Sequence, residues 1–228
     1  MTSAVSHTVA AVLFDLDDTL CTYRRSPGDL LAVAADRVGI DQPFPVEAYY
    51  RRFEEFADGS DDMAQLRERC FATLAGEHGH DPADGRALAR AYTAERDPTA
   101  VEPLPGAREA VARLSERYRL GLVTNGLRDA QRAKVDAIGL GDAFGTTVYA
   151  GEPAHTAKPN PAPFHTACES LGVAPGETVH VGDSPPDVAG ADAAGLRSVL
   201  VTGGDAPEEL TPTYRVGEPG ELVAPPWE

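Results

Sequence analysis

Residues 11–20 read AVLFDLDDTL, an apolar run followed by three aspartates in four positions. The run VAAVLF (9–14) has the pattern of a strand buried on both faces of a parallel sheet. Charge inside such a strand is costly, so Asp15, Asp17 and Asp18 belong just beyond its carboxyl end, where open parallel sheets bind ligands. Four later runs have the same character: YRLGLVT (118–124), TTVYAG (146–151), ETVHVGD (177–183) and RSVLVTG (197–203). Between them the period changes to that of amphipathic helices. GAREAVARLSERY (106–118) places Ala107, Ala110, Val111 and Leu114 on one face, and LRDAQRAKVDAIGL (127–140) repeats the pattern and stops at Gly139. NPAPFHTACESLG (160–172) and PPDVAGADAAG (185–195) open at or next to proline and close at glycine. Strand alternating with helix at this spacing predicts an α/β fold, a parallel sheet with helices on both faces. PEELTPTYRVGEPGELVAPPWE, at the end, offers one edge strand at 213–216.

Residues 21–102 break the alternation. Helical patterns fill them, among them GDLLAVAADRVG, VEAYYRRFEEFAD and DMAQLRERCFATLAGEHG. This predicts an all-helical domain inserted after the first strand, with residues 1–20 and 103–228 forming the α/β core. DPTAVEPLPGA (97–107), with three prolines, reads as the return linker.

The chain of 228 residues carries a formal net charge of −16, which argues against nucleic acid or an anionic membrane as partner, since phosphate binding needs clustered basic charge. No apolar run reaches the ~20 residues of a membrane-spanning helix, and MTSAVSHTVA lacks the charged and apolar segments of a signal peptide. Cys21, Cys70 and Cys168 stand far apart, as free thiols of a cytoplasmic protein do. Only Lys134 and Lys158 are lysines; the other 18 basic residues are arginines. A diffuse acidic surface with few lysines resembles the proteins of salt-in halophiles, and equally fits an acidic protein from a GC-rich genome.

Four strands finish in polar groups at the expected ligand edge or lead to them: Asp15-Leu16-Asp17, Thr124-Asn125-Gly126, Lys158 through a loop, and Asp183 with Asp187. Carboxylates brought together there repel one another unless cations compensate, which calls for a hard divalent metal and the Lys158 ammonium. DLDDTL, VTNG, KPNPAPF and GDSPPDVAGADAAG, in this order and after these strands, resemble the four motifs of the haloacid dehalogenase superfamily. The resemblance covers residues 9 to about 203, and it implies a Rossmann-like core with a helical cap in the position of residues 21–102.

The resemblance also implies chemistry. Asp15 is the nucleophile that takes a phosphoryl group as an aspartyl-phosphate; Asp17 protonates the leaving alkoxide and then activates water. Mg²⁺ sits on the Asp15 and Asp183 carboxylates and the Asp17 carbonyl. Thr124 and the backbone amides around Leu16 and Asn125 hold phosphate oxygens, and Lys158 stabilises charge on nucleophile and phosphate. Thr19 braces the Asp15 loop. Asp187 orients Lys158 or a metal-bound water, with Ser184 sharing the hydrogen bonding; DSPPD has three residues between its acids where many members have four. Members that attack carbon lack the acid two residues after the nucleophile, so Asp17 points to a phosphoester.

The function expected is a Mg²⁺-dependent phosphatase acting on a small phosphorylated metabolite: a sugar phosphate, nucleoside monophosphate or phosphoglycolate type. A phosphomutase shares all these residues. A phospho-receiver or binding module fits less well, because receivers place the phosphoacceptor after the third strand and have no helical insertion. Of the remaining polar residues, Asp18 reads as a turn former, and Arg24 and Arg25 as either a second anion contact or a solvated hinge. Tyr49 reads as core, His155 and His165 as surface groups near Lys158, and His180 as a satisfied interior histidine.

Overall fold

A computed structural model of the chain describes residues 8–41, 43–57, 63–150, 156–203 and 210–228. It divides into two compact units, Met1–Thr22 with Val101–Glu228, and Tyr23–Ala100.

Among the described residues the first unit's main sheet has six parallel strands: β1 (Ala11–Phe14), β4 (Arg119–Thr124), β5 (Thr146–Tyr149), β6 (Thr178–Gly182), β7 (Arg197–Val201) and β8 (Tyr214–Val216). Their order in the sheet is β5-β4-β1-β6-β7-β8. The chain builds outward from β1 on one side, then returns to build on the other, so the crevice at the carboxyl end of β1 is a topological switch point. Phe14 lies opposite Leu122 of β4 and Val181 of β6. All four β1 residues are fully buried. Leu13 packs with Val123 and Val148 against Phe164 and Cys168 of helix α7 (Ala162–Leu171) and Ala191 of helix α8 (Pro185–Ala193). Val12 and Phe14 point to the opposite face by strand alternation. Each such side chain contributes roughly 1.5–3 kcal/mol of burial, which makes β1 a rigid platform for whatever follows it. Helices α5 (Ala107–Ser115) and α6 (Arg128–Ala137) flank β4 in sequence.

Among the described residues the second unit holds four helices, α1 (Pro27–Val38), α2 (Val46–Ala57), α3 (Met63–Glu77) and α4 (Pro82–Glu95). Local chemistry fixes their ends. Ser26 and Asp29 form a capping box before Pro27, Gly39 closes α1 at φ 71°, and Asp81 caps α4. Phe71 is the hub of the core, with the Phe44 and Tyr49 rings edge-on at 5.0 and 5.1 Å. The close approach of α3 and α4 depends on Gly85: a Cβ there would stand 2.4 Å from the Phe71 carbonyl oxygen and 2.7 Å from Ala72 Cα. Gly85→Ala is expected to destabilise the protein by about 1–3 kcal/mol, since overpacking backbone outweighs the ~1 kcal/mol gain in helix propensity. Urea unfolding tests this; an unchanged or raised midpoint contradicts the tight crossing.

Residues 21–102 are not wholly helical. β2 (Cys21–Tyr23) and β3 (Val101–Pro103) form a two-stranded ribbon where the chain passes between the units. The Leu104 amide donates to the Leu20 carbonyl, and the Arg24 amide to that of Ala100. Three-residue strands have too few positions to show a period, and Pro103 disguises the second as linker. The edge strand falls at 214–216. Pro161 occupies the cap position of α7, and Asn160 Oδ1 accepts from the Ala162 amide at 2.9 Å. All three cysteines are free and buried. Among the described residues no helix is long and apolar enough to cross a membrane.

Candidate active site

The carboxyl end of β1 continues into Asp15, whose amide still donates to the Val181 carbonyl at 2.8 Å. The chain then turns sharply. Asp18 adopts φ 55°, a left-handed conformation that aspartate tolerates, and its amide donates to the Cys21 carbonyl while Oδ1 accepts from Thr22 Oγ1 at 2.8 Å. Asp18 therefore shapes the turn, as its sequence position suggests.

Lys158 is the centre of the buried charge. Its Nζ donates to Asp15 Oδ1 at 2.7 Å, Asp187 Oδ1 at 2.6 Å and the Val123 carbonyl at 3.0 Å, using all three protons. Asn125 fixes the lysine's backbone: its Nδ2 donates to the Lys158 carbonyl and its Oδ1 accepts from the Lys158 amide, at 3.1 and 2.8 Å. The side-chain amide of Asn125 is thus committed to Lys158, and only its backbone is available to a phosphate.

Asp187 is saturated. Oδ1 accepts from Lys158 and from His180 Nε2 (2.9 Å), and Oδ2 accepts from the Ser184 amide and hydroxyl (3.2 and 2.5 Å). The Ser184 pairing is the capping box of α8, so Asp187 is both a helix cap and a lysine anchor. A Cβ at Gly182 would stand 2.3 Å from Asp187 Cγ, which explains the glycine before Asp183. Asp183 accepts from Thr19 Oγ1 at 3.1 Å.

One ligand oxygen from each of Asp15, Asp183 and Asp187 lies within 4.8 Å of the others, a hard oxygen cluster suited to a divalent cation. With Asp187 occupied fourfold, Asp15 and Asp183 are the carboxylates left to hold it. The electrostatics agree. Burial, opposed by Lys158 and reinforced by Asp187, pushes Asp15 up to about 7. Burial and the charge of Asp187 push Asp183 to about 6. Burial would raise Asp187 as well, but hydrogen bonding from His180 and the charge of Lys158 hold it well below the usual carboxylate range. Lys158 is shared between Asp15 and Asp187, so one ammonium faces three clustered carboxylates. A cleft of about 450 Å³ opens beside Asp183, bounded also by Asp18, Leu104 and Thr202.

Asp17 does not share in this cluster. Its Oδ1 accepts from Lys134 Nζ at 2.5 Å and its Oδ2 from Gln131 Nε2 at 2.8 Å, while Gln131 Nε2 also reaches Thr124 Oγ1 at 2.5 Å. Sequence reasoning missed Gln131 and Lys134. The signal was a polar pair at i, i+3 on the buried face of α6, where core residues belong, with the chain's second lysine among them. His180, expected as an interior histidine, is buried, and its Nε2 holds Asp187. His165 bonds the Ala194 carbonyl, Tyr49 is core, Arg25 pairs with Glu95, and His155 lies outside the described residues.

Fold and site together define an acid-rich Rossmann-like hydrolase. The chain belongs to the haloacid dehalogenase-like hydrolase family, whose profile matches residues 9–195. It is 40% identical over 164 residues to the phosphoserine phosphatase of Thermus thermophilus, spanning 69% of this chain and 64% of that protein. It is 30% identical to the glyceraldehyde 3-phosphate phosphatase of Methanopyrus kandleri over 94% of this chain and 96% of that one. Among solved structures, a 2-haloacid dehalogenase from Pseudomonas syringae matches with a TM-score of 0.67 and 28% identity, covering 97% of this chain and all of that one.

Proposed function

We propose that this chain is a Mg²⁺-dependent phosphatase that removes phosphate from a small phosphorylated metabolite through an aspartyl-phosphate on Asp15. The observation that carries the proposal is the division of labour among the acids: Asp187 fully engaged, Asp15 and Asp183 short of cations, and Asp17 held apart from both. The Asp17 carboxylate favours phosphoester over halide chemistry, because an alkoxide leaving group needs a proton and a halide does not. The phosphatase activities named for the relatives support the same class.

In the proposed reaction an Asp15 carboxylate oxygen attacks phosphorus while the ester oxygen leaves in line and takes the proton of Asp17. Asp17, now a carboxylate, then accepts a proton from the water that attacks the acyl phosphate, restoring Asp15 and releasing phosphate. Lys158 holds the Asp15 carboxylate in place and neutralises charge beside it. Thr124 Oγ1 and the amides of Leu16 and Asn125 bind the non-bridging oxygens. Asp15, Asp183 and the Asp17 carbonyl would hold Mg²⁺, which would supply charge neutralisation for the phosphoryl group. Thr19 and Ser184 orient Asp183 and Asp187. The helical unit serves as a cap that limits water and selects the substrate. The buried free thiols are compatible with a cytoplasmic setting, and the acidic composition with a salt-rich one.

With a panel of phosphorylated metabolites assayed in Mg²⁺ and in chelator, at low and high KCl, removing the metal is expected to cost at least about 100-fold in rate. Undiminished turnover under chelation overturns the mechanism.

A further inference from the structure

Both lysines of this arginine-rich chain are buried, and both end on a carboxylate of the proposed reaction: Lys158 on Asp15, Lys134 on Asp17. Lys134 projects from the interior face of α6. Its side chain is 5% exposed, whereas that of Asp17 is 41% exposed. The ammonium is therefore fixed in the interior, while the Asp17 carboxylate it holds stays open on its other side. Gln131, one turn earlier on the same face, holds the other oxygen of Asp17 and the hydroxyl of Thr124 with one amide nitrogen. The turn after β4 is built for this: a Cβ at Gly126 would stand 2.3 Å from Gln131 Cδ, so the glycine leaves the space that the Gln131 amide fills.

We propose that Lys134 and Gln131 are positioning residues for Asp17, fixing its carboxylate and coupling it to the phosphate-binding hydroxyl of Thr124. This rests on the proton-transfer role given to Asp17 above. When Asp17 gives its proton to the leaving oxygen, the carboxylate that forms already has two donors in place, one of them charged. Donors set in advance on a developing charge act without reorganisation at the moment of reaction. A compact ammonium suits the confined position behind Asp17 where a planar guanidinium does not. Gln131 makes the arrangement cooperative: a phosphate that orders Thr124 also orders the group that must protonate the departing alcohol.

The test exploits leaving-group chemistry. 4-Nitrophenolate departs without protonation, whereas the alkoxide of n-propyl phosphate requires it. The ratio of kcat/KM for the two esters, which reports steps up to loss of the leaving group, is measured for wild type, Lys134→Met, Gln131→Leu and Asp17→Asn. Lys134→Met is expected to lose roughly 10–100-fold on n-propyl phosphate and no more than about 3-fold on 4-nitrophenyl phosphate. Gln131→Leu shifts the ratio in the same direction and also raises KM for both esters. Equal losses on the two esters, or none, overturn the positioning role, since a merely structural defect does not distinguish leaving groups. If Lys134→Met does not fold, Gln131→Leu decides by the same ratio. Asp17→Asn separates the two levels of inference. A selective loss there with none in the other variants refutes the positioning role alone; no selectivity in Asp17→Asn refutes the acid role itself.

Discussion

Asp15→Asn is expected to lower kcat by at least about 10⁴-fold on every phosphate ester accepted, with the protein remaining folded. The amide oxygen is a poor nucleophile, and no neighbouring group replaces it: Asp187 has four hydrogen bonds, and Asp17 is held by Lys134 and Gln131. The fold should tolerate the change because burial already opposes ionisation of Asp15. Lys158 keeps its contacts to Asp187 and the Val123 carbonyl, so the substitution strands no unpaired buried ammonium. Rapid quenching of wild type with substrate should trap hydroxylamine-labile phosphate on Asp15, and the variant should trap none. Residual turnover within tenfold of wild type, or phosphate recovered on another residue, would falsify the nucleophile assignment.

The second large effect joins metal, pH and stability. In chelator, stability is expected to fall as pH rises from about 4 to about 7, and Mg²⁺ should reverse most of the loss. Asp15 and Asp183 have folded-state values of about 7 and about 6, both above the 3.8 of an exposed aspartate, first because of burial. Between those limits the folded chain binds more protons than the unfolded one. The slope of unfolding free energy with pH is then negative, and it flattens once both groups have ionised in the folded state. Asp187 behaves oppositely. Its value lies below the ordinary range, so its contribution is full above about pH 4 and is lost under more acid conditions. Mg²⁺ at 100 times its Kd adds about 2.7 kcal/mol, or roughly 5–10 °C in melting temperature for a chain of this size. Asp15→Asn should flatten the pH slope and shrink the Mg²⁺ gain. Melting curves from pH 4 to 8 that are level in chelator, or indifferent to Mg²⁺, contradict the charge balance described for the site.

The parallel sheet was legible because buried strands write themselves as continuous apolar runs and each break between them carries proline or glycine. The polar residues Asp15, Thr124 and Asp183 stood out for a related reason, since a polar group at the end of such a run has no structural excuse, whereas Lys158, beyond a loop, was pointed to by its motif. The ribbon of Cys21–Tyr23 and Val101–Pro103 was not, because three residues cannot display a period. Gln131, Lys134 and the contact of His180 escaped because they approach from the interior faces of α6 and β6, where spacing marks them as core. The short interval in DSPPD looked like a departure from pattern. Its local meaning was nevertheless present: Ser184 and Asp187 stand three apart, the separation of a capping box.

That double duty of Asp187 limits what mutagenesis at this position can teach. Any substitution that frees Lys158 also uncaps α8 and strands His180, so loss of turnover and loss of fold arrive together. An inactive variant at Asp187 is uninformative about chemistry, and the interval between the two acids is under constraint from helix initiation as well as from the reaction. Selection acting on foldedness alone would preserve this carboxylate even in a descendant that had given up its substrate. A retained Asp187 therefore marks an inherited architecture, whereas Asp17, more exposed and outside the capping box of α8, is the position where a change of trade would first be visible.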